Sequence, residues 1–193
     1  MGMTISIGSE RSLRMNVWHD IDPQYITPDK FTAVIEIPEG SKKKYELDKR
    51  TGLLRLDRVL HTATHYPANY GFIPLTYAND HDPLDVLVLC SQVLDPLIEV
   101  DCYPIGCIRM MDEGNYDDKI IAVPCFDPTW NTYTDLSQLP PHITDEISNF
   151  FEVYKLLENK STVTNGVLSA DGAKVIIRHA MENYKCNRTS IRT

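Results

Sequence analysis

The stretch "NDHDPLDVLVLC", residues 79–90, joins three aspartates to an unbroken apolar run. The second half, "DVLVLC" (85–90), reads as a buried strand by composition. Similar signals lie on both sides of it. Upstream, "FTAVIEIP" (31–38) is rich in β-branched and aromatic residues and stops at a proline, so it is a strand. "KYELDKRTGLLRLDR" (44–58) reads as a hairpin, with two alternating runs around a turn where Gly52 can supply positive φ. Downstream come "EVDCYPIGCIRM" (99–110), broken by Pro104 and Gly106, and "KIIAVP" (119–124). Strands at such short spacing belong to a small barrel or sandwich.

Beyond Pro140 and Pro141 the period changes. Ile143, Ile147, Phe150, Phe151, Tyr154 and Leu157 recur at helical spacing, and the prolines suit a helix start. A second helix is expected at about 170–185, with Ala173, Ile176, Ile177, Ala180, Met181 and Tyr184 on one stripe. Strands first and helices afterwards indicate α+β, not a parallel βαβ sheet. The chain of 193 residues suits one domain. Residues 1–30 form an N-terminal arm over the surface, 31–125 are mainly β, and 141–185 are helical.

The formal charge of −8 makes nucleic acid and anionic membrane surfaces poor partners. No segment approaches the roughly 20 apolar residues of a membrane span. The first residues lack the apolar core of a secretory signal, and Gly2 with Ser6 is a weak myristoylation match. Five cysteines, an odd number without a CxxC, suggest neither a disulfide framework nor a zinc site. Four of them, Cys90, Cys102, Cys107 and Cys125, lie in strand-like stretches and are expected to pack as small core residues. A reducing, cytoplasmic compartment fits.

Asp80, Asp82 and Asp85 fall within six positions. At roughly 4 Å, one pair of like charges repels by about 4 kcal/mol at an effective dielectric of 20. Either the carboxylates splay into water, the ordinary reading of an acidic turn, or a cation holds them together. Pro83 favours an extended Asp82, which would turn Asp80 and Asp82 to one side, and Asp85 opens an anchored strand. Such an oxygen platform suits Mg²⁺ or Mn²⁺. It is not an EF-hand, because the sixth and twelfth positions from Asp80 are Asp85 and Ser91. A second acidic group, Asp112, Glu113, Asp117 and Asp118, surrounds a Gly-Asn turn; alone it is a common hairpin turn. Glu36 and Glu46 lie on neighbouring strands, and Glu36 is an odd charge inside "VIEIP". Lys44, Arg58, Tyr66, Tyr70, Lys119, Tyr154 and Lys155 accompany the acids. For the three phenols, core packing is the ordinary alternative.

Together these stretches resemble family I soluble inorganic pyrophosphatases, in order, over roughly residues 31–158. "DHDPLDV" (80–86) is similar to the family's D-x-D-P-x-D-V signature, and "VIEIP", "KYELD", "LDR", "YPANYGFIP", "DEGNYDDKIIAVP" and "FFEVYK" resemble its other blocks. The resemblance implies a closed five-stranded OB-like β-barrel with additional hairpin strands and two C-terminal helices. It implies hydrolysis of pyrophosphate to two orthophosphates with several Mg²⁺ ions per site, Mn²⁺ being a possible substitute. Carried over by position, Asp80, Asp85 and Asp117 match the core metal ligands, with Asp85 bridging two ions beside the attacking water. Asp112 matches a ligand of the ions that arrive with substrate, and Glu46 another metal-linked carboxylate. Glu36 matches a supporting acid and Asp82 the general base. Lys44, Arg58, Lys119, Tyr154 and Lys155 match phosphate-binding groups, Tyr70 a site tyrosine and Tyr66 a nearby one.

Two positions depart from the family pattern: His81 stands where Gly, Ser, Asp or Asn is usual, and Tyr116 where bacterial relatives often carry an acid. "DDKIIAV" and "DLSQLPPH" are closer to the plant-type branch. A homo-oligomer is implied, with the short length favouring a hexamer over a dimer or trimer. A metal-binding module without activity, and a phosphohydrolase for another anion, are the competing readings. The site positions keep competent side chains, which disfavours the first. The absence of a P-loop disfavours the second.

Overall fold

The computed structural model describes residues 15–49, 51–112 and 114–191, so the first half of the expected arm and the myristoylation match lie outside the described residues. The strands are β1 (Phe31–Ile37), β2 (Lys43–Leu47), β3 (Leu54–Val59), β4 (Asn69–Ile73), β5 (Leu84–Val88), β6 (Glu99–Asp112), β7 (Asn115–Tyr116), β8 (Lys119–Pro124) and β9 (Thr162–Ser169). The helices are α1 (Pro141–Val153) and α2 (Ala170–Ile191). β1 pairs with β4, β4 with β5, β5 with β8, β8 with β6, and β6 returns to β1. That cycle closes a five-stranded barrel, antiparallel except for β5–β8. β7 and β9 extend from β6, and β2–β3 form a separate hairpin.

Closure depends on close backbone approach. A Cβ on Gly71 would stand 1.9 Å from the Val34 carbonyl oxygen, so only glycine lets β4 lie against β1 there. Gly106 plays a similar part in β6, where a Cβ would stand 2.2 Å from Leu136 Cδ1 and 2.7 Å from the Leu168 carbonyl oxygen. Pro104 and Gly106 therefore do not break the strand, contrary to the sequence expectation. β6 runs through them with a shift of register, as a bulge permits.

Two apolar clusters divide the interior. β5 sends Val86 and Val88 into one and Leu87 into the other, where Leu89 follows just past its end, as a strand's alternation requires. α2 covers the first with Ala173, Ile177, Ala180 and Tyr184. Burying Ile177 fully contributes about 1.5–3 kcal/mol. α1, opening at Pro141, covers the second with Ile147, Phe150 and Phe151.

The arm is more than a surface strap. From Trp18 onward it buries Trp18, Ile21 and Ile26 against the first cluster. α2 runs past the expected end to Ile191. β4 and β9 are strands where none was expected. Of the four cysteines expected in the core, Cys102 and Cys107 are buried, whereas Cys90 and Cys125 are only partly so.

Candidate active site

The site forms where the ends of β1, β5 and β8 meet the β2–β3 hairpin and the C-terminal end of α1. The parallel register sets Val86 beside Ile120, which brings the preceding residues Asp85 and Lys119 together. Lys119 Nζ donates to Asp85, to Asp117 Oδ1 at 2.6 Å and to the Tyr70 hydroxyl at 3.3 Å. The ammonium is almost fully buried. Desolvation opposes its charge, but Asp117 and Asp85 outweigh that and hold its pKa well above the lysine value. Asp80, Asp85 and Asp117 offer oxygens that all lie within 4.8 Å of one another.

The acidic loop is a turn, not the extended segment its proline suggested. The Asp82 amide donates to Asp80 Oδ1 at 3.1 Å, and His81 has φ +70°. Asp80 and Asp82 nevertheless both line the pocket. The His81 side chain meets Tyr77, with Nδ1 2.9 Å from the Tyr77 hydroxyl. Asp82 forms an ion pair with Lys49. Burial, and then Asp117, raise the pKa of Asp80; for Asp85 burial leads and Asp117 adds, outweighing Lys119.

Glu36 is explained by a bulge. The register of β1 against β4 shifts between Ile35 and Ile37, which aims the intervening Glu36 into the pocket. Its Oε1 accepts the Leu47 amide at 2.7 Å, tying the hairpin to the barrel although the two are not hydrogen-bonded as neighbouring strands. Burial first, and Asp85 second, push its carboxyl up to about 8. The hairpin contributes Lys44, Glu46 and Lys49 to the lining. Lys44 Nζ pairs with Glu46, and with Asp57 at 3.2 Å. At the end of α1, Tyr154 is buried against Phe150 and Phe151 while also reaching the pocket beside Lys155.

Thus Glu36, Lys44, Glu46, Tyr70, Asp80, Asp82, Asp85, Asp117, Lys119, Tyr154 and Lys155 share one cavity of about 230 Å³. Two expected residues do not line it. Tyr66 lies behind Tyr70, with ring centroids 5.2 Å apart. Arg58 is held outside the lining by Asp57 and by Glu158, whose Oε2 is 2.9 Å from Nε. The side chain of Asp112 and all of Glu113 lie outside the described residues. Asp118 faces away from the cluster toward Arg109, with Oδ1 at 2.9 Å. Tyr116 is exposed beneath the Arg109 guanidinium, 4.8 Å from the ring centroid.

Four residues went unmarked by sequence reasoning: Trp18, Lys49, Asp57 and Glu158. For the last three no local signal exists, since charges beside a turn or after a helix are ordinarily solvated. Trp18 had one, the apolar spacing of Val17, Trp18, Ile21 and Ile26 within a polar segment.

An all-oxygen cluster suits a hard divalent cation. It fits here because three carboxylates lie close together, only Asp85 and Asp117 of them pair with the buried Lys119 ammonium, and burial raises the pKa of Asp80 and Asp85. Ammonium and phenol donors lining the same pocket as those carboxylates suit a phosphate-bearing anion, so fold and site together define a hydrolase of the phosphate-handling class. Comparison with known proteins gives the family. The family model described as inorganic pyrophosphatase matches residues 33–185, and the chain belongs to that family. It is 46% identical over 175 residues to "Soluble inorganic pyrophosphatase 2" of Chlamydomonas reinhardtii, covering 91% of each chain. It is 47% identical to "Soluble inorganic pyrophosphatase PPA1" of Solanum tuberosum, covering 91% of this chain and 83% of that one. The crystal structure of inorganic pyrophosphatase from Thermus thermophilus superposes with TM-score 0.84 at 37% identity, covering 89% of this chain and 99% of the other. The protein is an enzyme, an inorganic diphosphatase. Among the described residues no helix is long and apolar enough to cross a membrane.

Proposed function

We propose that this diphosphatase works with Mg²⁺ held by Asp80, Asp85 and Asp117, and with Asp82 as the base that takes the proton of the attacking water. The observation that carries the reading is the approach of those three carboxylates within 4.8 Å. When bound, the divalent cations supply the positive charge a polyanion requires in an acidic hollow and acidify the water. Asp82 accepts the proton at a carboxylate oxygen as the water–phosphorus bond forms and the bridging P–O bond breaks. Lys44, Lys119 and Lys155 neutralise phosphate oxygens. Tyr70 and Tyr154 donate hydrogen bonds to them, and burial keeps the Tyr70 phenol protonated. Glu46, with Asp112, supports further cations, and Glu36 supports the water side of the pocket. Tyr66 backs Tyr70. Arg58 reaches the leaving phosphate after leaving one of its carboxylate partners. Positioning and electrostatics dominate such a phosphoryl transfer, so no covalent nucleophile is required.

Phosphate release from pyrophosphate, ATP and tripolyphosphate, each with and without Mg²⁺, tests the substrate and the cation. Asp82→Asn should bind Mg²⁺ nearly normally by calorimetry and lose about 10²–10⁴-fold in turnover. Wild-type turnover in that variant removes Asp82 as the base. A cytoplasmic homo-oligomer is part of the same reading. The assembly is supported by the exposed apolar side chains Val163 and Val167 on β9 and Val175 on α2; light scattering measures it.

A further inference from the structure

Lys49 is not among the phosphate-binding groups above, yet its ammonium enters the pocket. It forms the ion pair with Asp82. An ion pair this exposed stabilises a fold very little, so its geometry must be explained otherwise. The ammonium lies over the Trp18 ring, 5.3 Å from the centroid. Trp18 is only 2% exposed and fixed on both sides. Its indole Nε1 donates to the Thr76 carbonyl oxygen at 2.9 Å, and its amide donates to Asn16 Oδ1 at 3.0 Å. Asn16 in turn donates from Nδ2 to the Lys49 carbonyl oxygen at 3.0 Å. The same Thr76 accepts the Leu84 amide at its hydroxyl, at 2.9 Å, which fixes the start of the strand carrying Asp85. Trp18 also stacks on Tyr77, whose hydroxyl meets His81 between Asp80 and Asp82. A segment preceding the barrel is thereby joined to both ends of the acidic loop and to the lysine that faces it.

We infer that Lys49 is a positioning residue that holds the Asp82 carboxylate at its working place in the pocket, and that Trp18 of the N-terminal segment aims Lys49. Without that ammonium, Asp82 shares the pocket with the carboxylates of Asp80, Asp85 and Asp117 and loses its one paired cation among the described residues, so like charge turns it away from its working place. Desolvation draws the Lys49 pKa down, against the raising effect of Asp80, Glu46 and Glu36. The inference rests on Asp82 as the base, and it separates Lys49 from the lysines that bind phosphate. A lysine that binds the ground-state and transition-state phosphate equally acts on KM, whereas a lysine that aims the base acts on kcat.

The test is steady-state pyrophosphate hydrolysis with saturating Mg²⁺ for Lys49→Met, Lys49→Arg, Asp82→Asn and the Lys49→Met/Asp82→Asn double variant. Misplacing a reacting group by about 1 Å can reduce rate about 10²-fold. Lys49→Met should therefore lose about 10- to 100-fold in kcat, with KM changed less than about threefold. Lys49→Arg should recover most of the loss, and the double variant should be no slower than Asp82→Asn alone. A Lys49→Met kcat within about twofold of wild type overturns the inference, as do a loss confined to KM and full additivity in the double variant. Asp82→Asn judged alone shows whether the base assignment has failed. If Asp82→Asn is active while Lys49→Met is slow, the positioning role falls as well, because Lys49 then acts through another group.

Discussion

Replacing Glu36 with glutamine should make the metal-free protein more stable, increasingly so as pH rises. Glu36 is buried on a barrel strand, and its carboxyl is pushed from an ordinary 4.5 up to about 8, by desolvation first and by Asp85 second. A carboxyl whose pKa is raised on folding binds protons more tightly in the folded than in the unfolded chain. Its penalty is absent below about 4.5, grows as pH climbs, and is complete above about 8. Each tenfold change in proton affinity corresponds to about 1.36 kcal/mol, so the full penalty is about 5 kcal/mol. Between about pH 6 and pH 9 roughly 3 kcal/mol of it develops. Glutamine keeps an oxygen to accept the Leu47 amide, which Glu36 holds at 2.7 Å, but it does not titrate. In urea denaturation of cation-free protein, the stability of Glu36→Gln relative to wild type should therefore rise by about 3 kcal/mol over that range. Comparing the two proteins at each pH cancels the titration of all other groups. Added Mg²⁺ should shrink the difference, because positive charge near Asp85 favours the ionised form of Glu36. A difference that stays constant from pH 6 to pH 9 would refute a protonated Glu36 in the metal-free fold.

Two further outcomes follow from the packing. Lys119→Met leaves Asp85 and Asp117 without their shared ammonium, and breaking a buried pair this way costs about 3–5 kcal/mol. Urea denaturation should show that loss without cations and partial recovery with Mg²⁺; equal loss in both conditions would separate the lysine from the cation cluster. Gly71→Ala should lower stability by more than about 3 kcal/mol, because its Cβ would meet the Val34 carbonyl oxygen at 1.9 Å. Gly40→Ala meets no atom within 4 Å and should cost only about 1 kcal/mol for its positive φ. Thermal melts that rank the two glycines equally would remove close approach as the reason for Gly71.

What could be read from the chain was whatever a single segment records by itself. β1, β5 and β8 show as β-branched runs, and α1 shows through its 3.6-residue stripe. β4 was hidden because "NYGFI" carries an asparagine and a glycine where strand composition calls for bulky residues. The glycine is there for the backbone of β1, which lies far away in sequence. β9 was hidden by Asn165 and Gly166, a turn signal inside a strand, with Gly166 at φ +111°. The same limit governed the site. The acids were visible as residue types, and family resemblance supplied their grouping. The partners that aim them were not visible, because Lys49 meets Asp82 and Arg58 meets Glu158 only after the hairpin and the end of α1 have packed on the barrel. Glu36 makes the point most directly. Its charge looked misplaced in an apolar strand, and it remains so for the strand alone. One bulge, produced by the pairing of β1 with β4, turns it into the cavity that also holds Asp85. The purpose of that residue lies in a pairing between strands, and no period within β1 could express it.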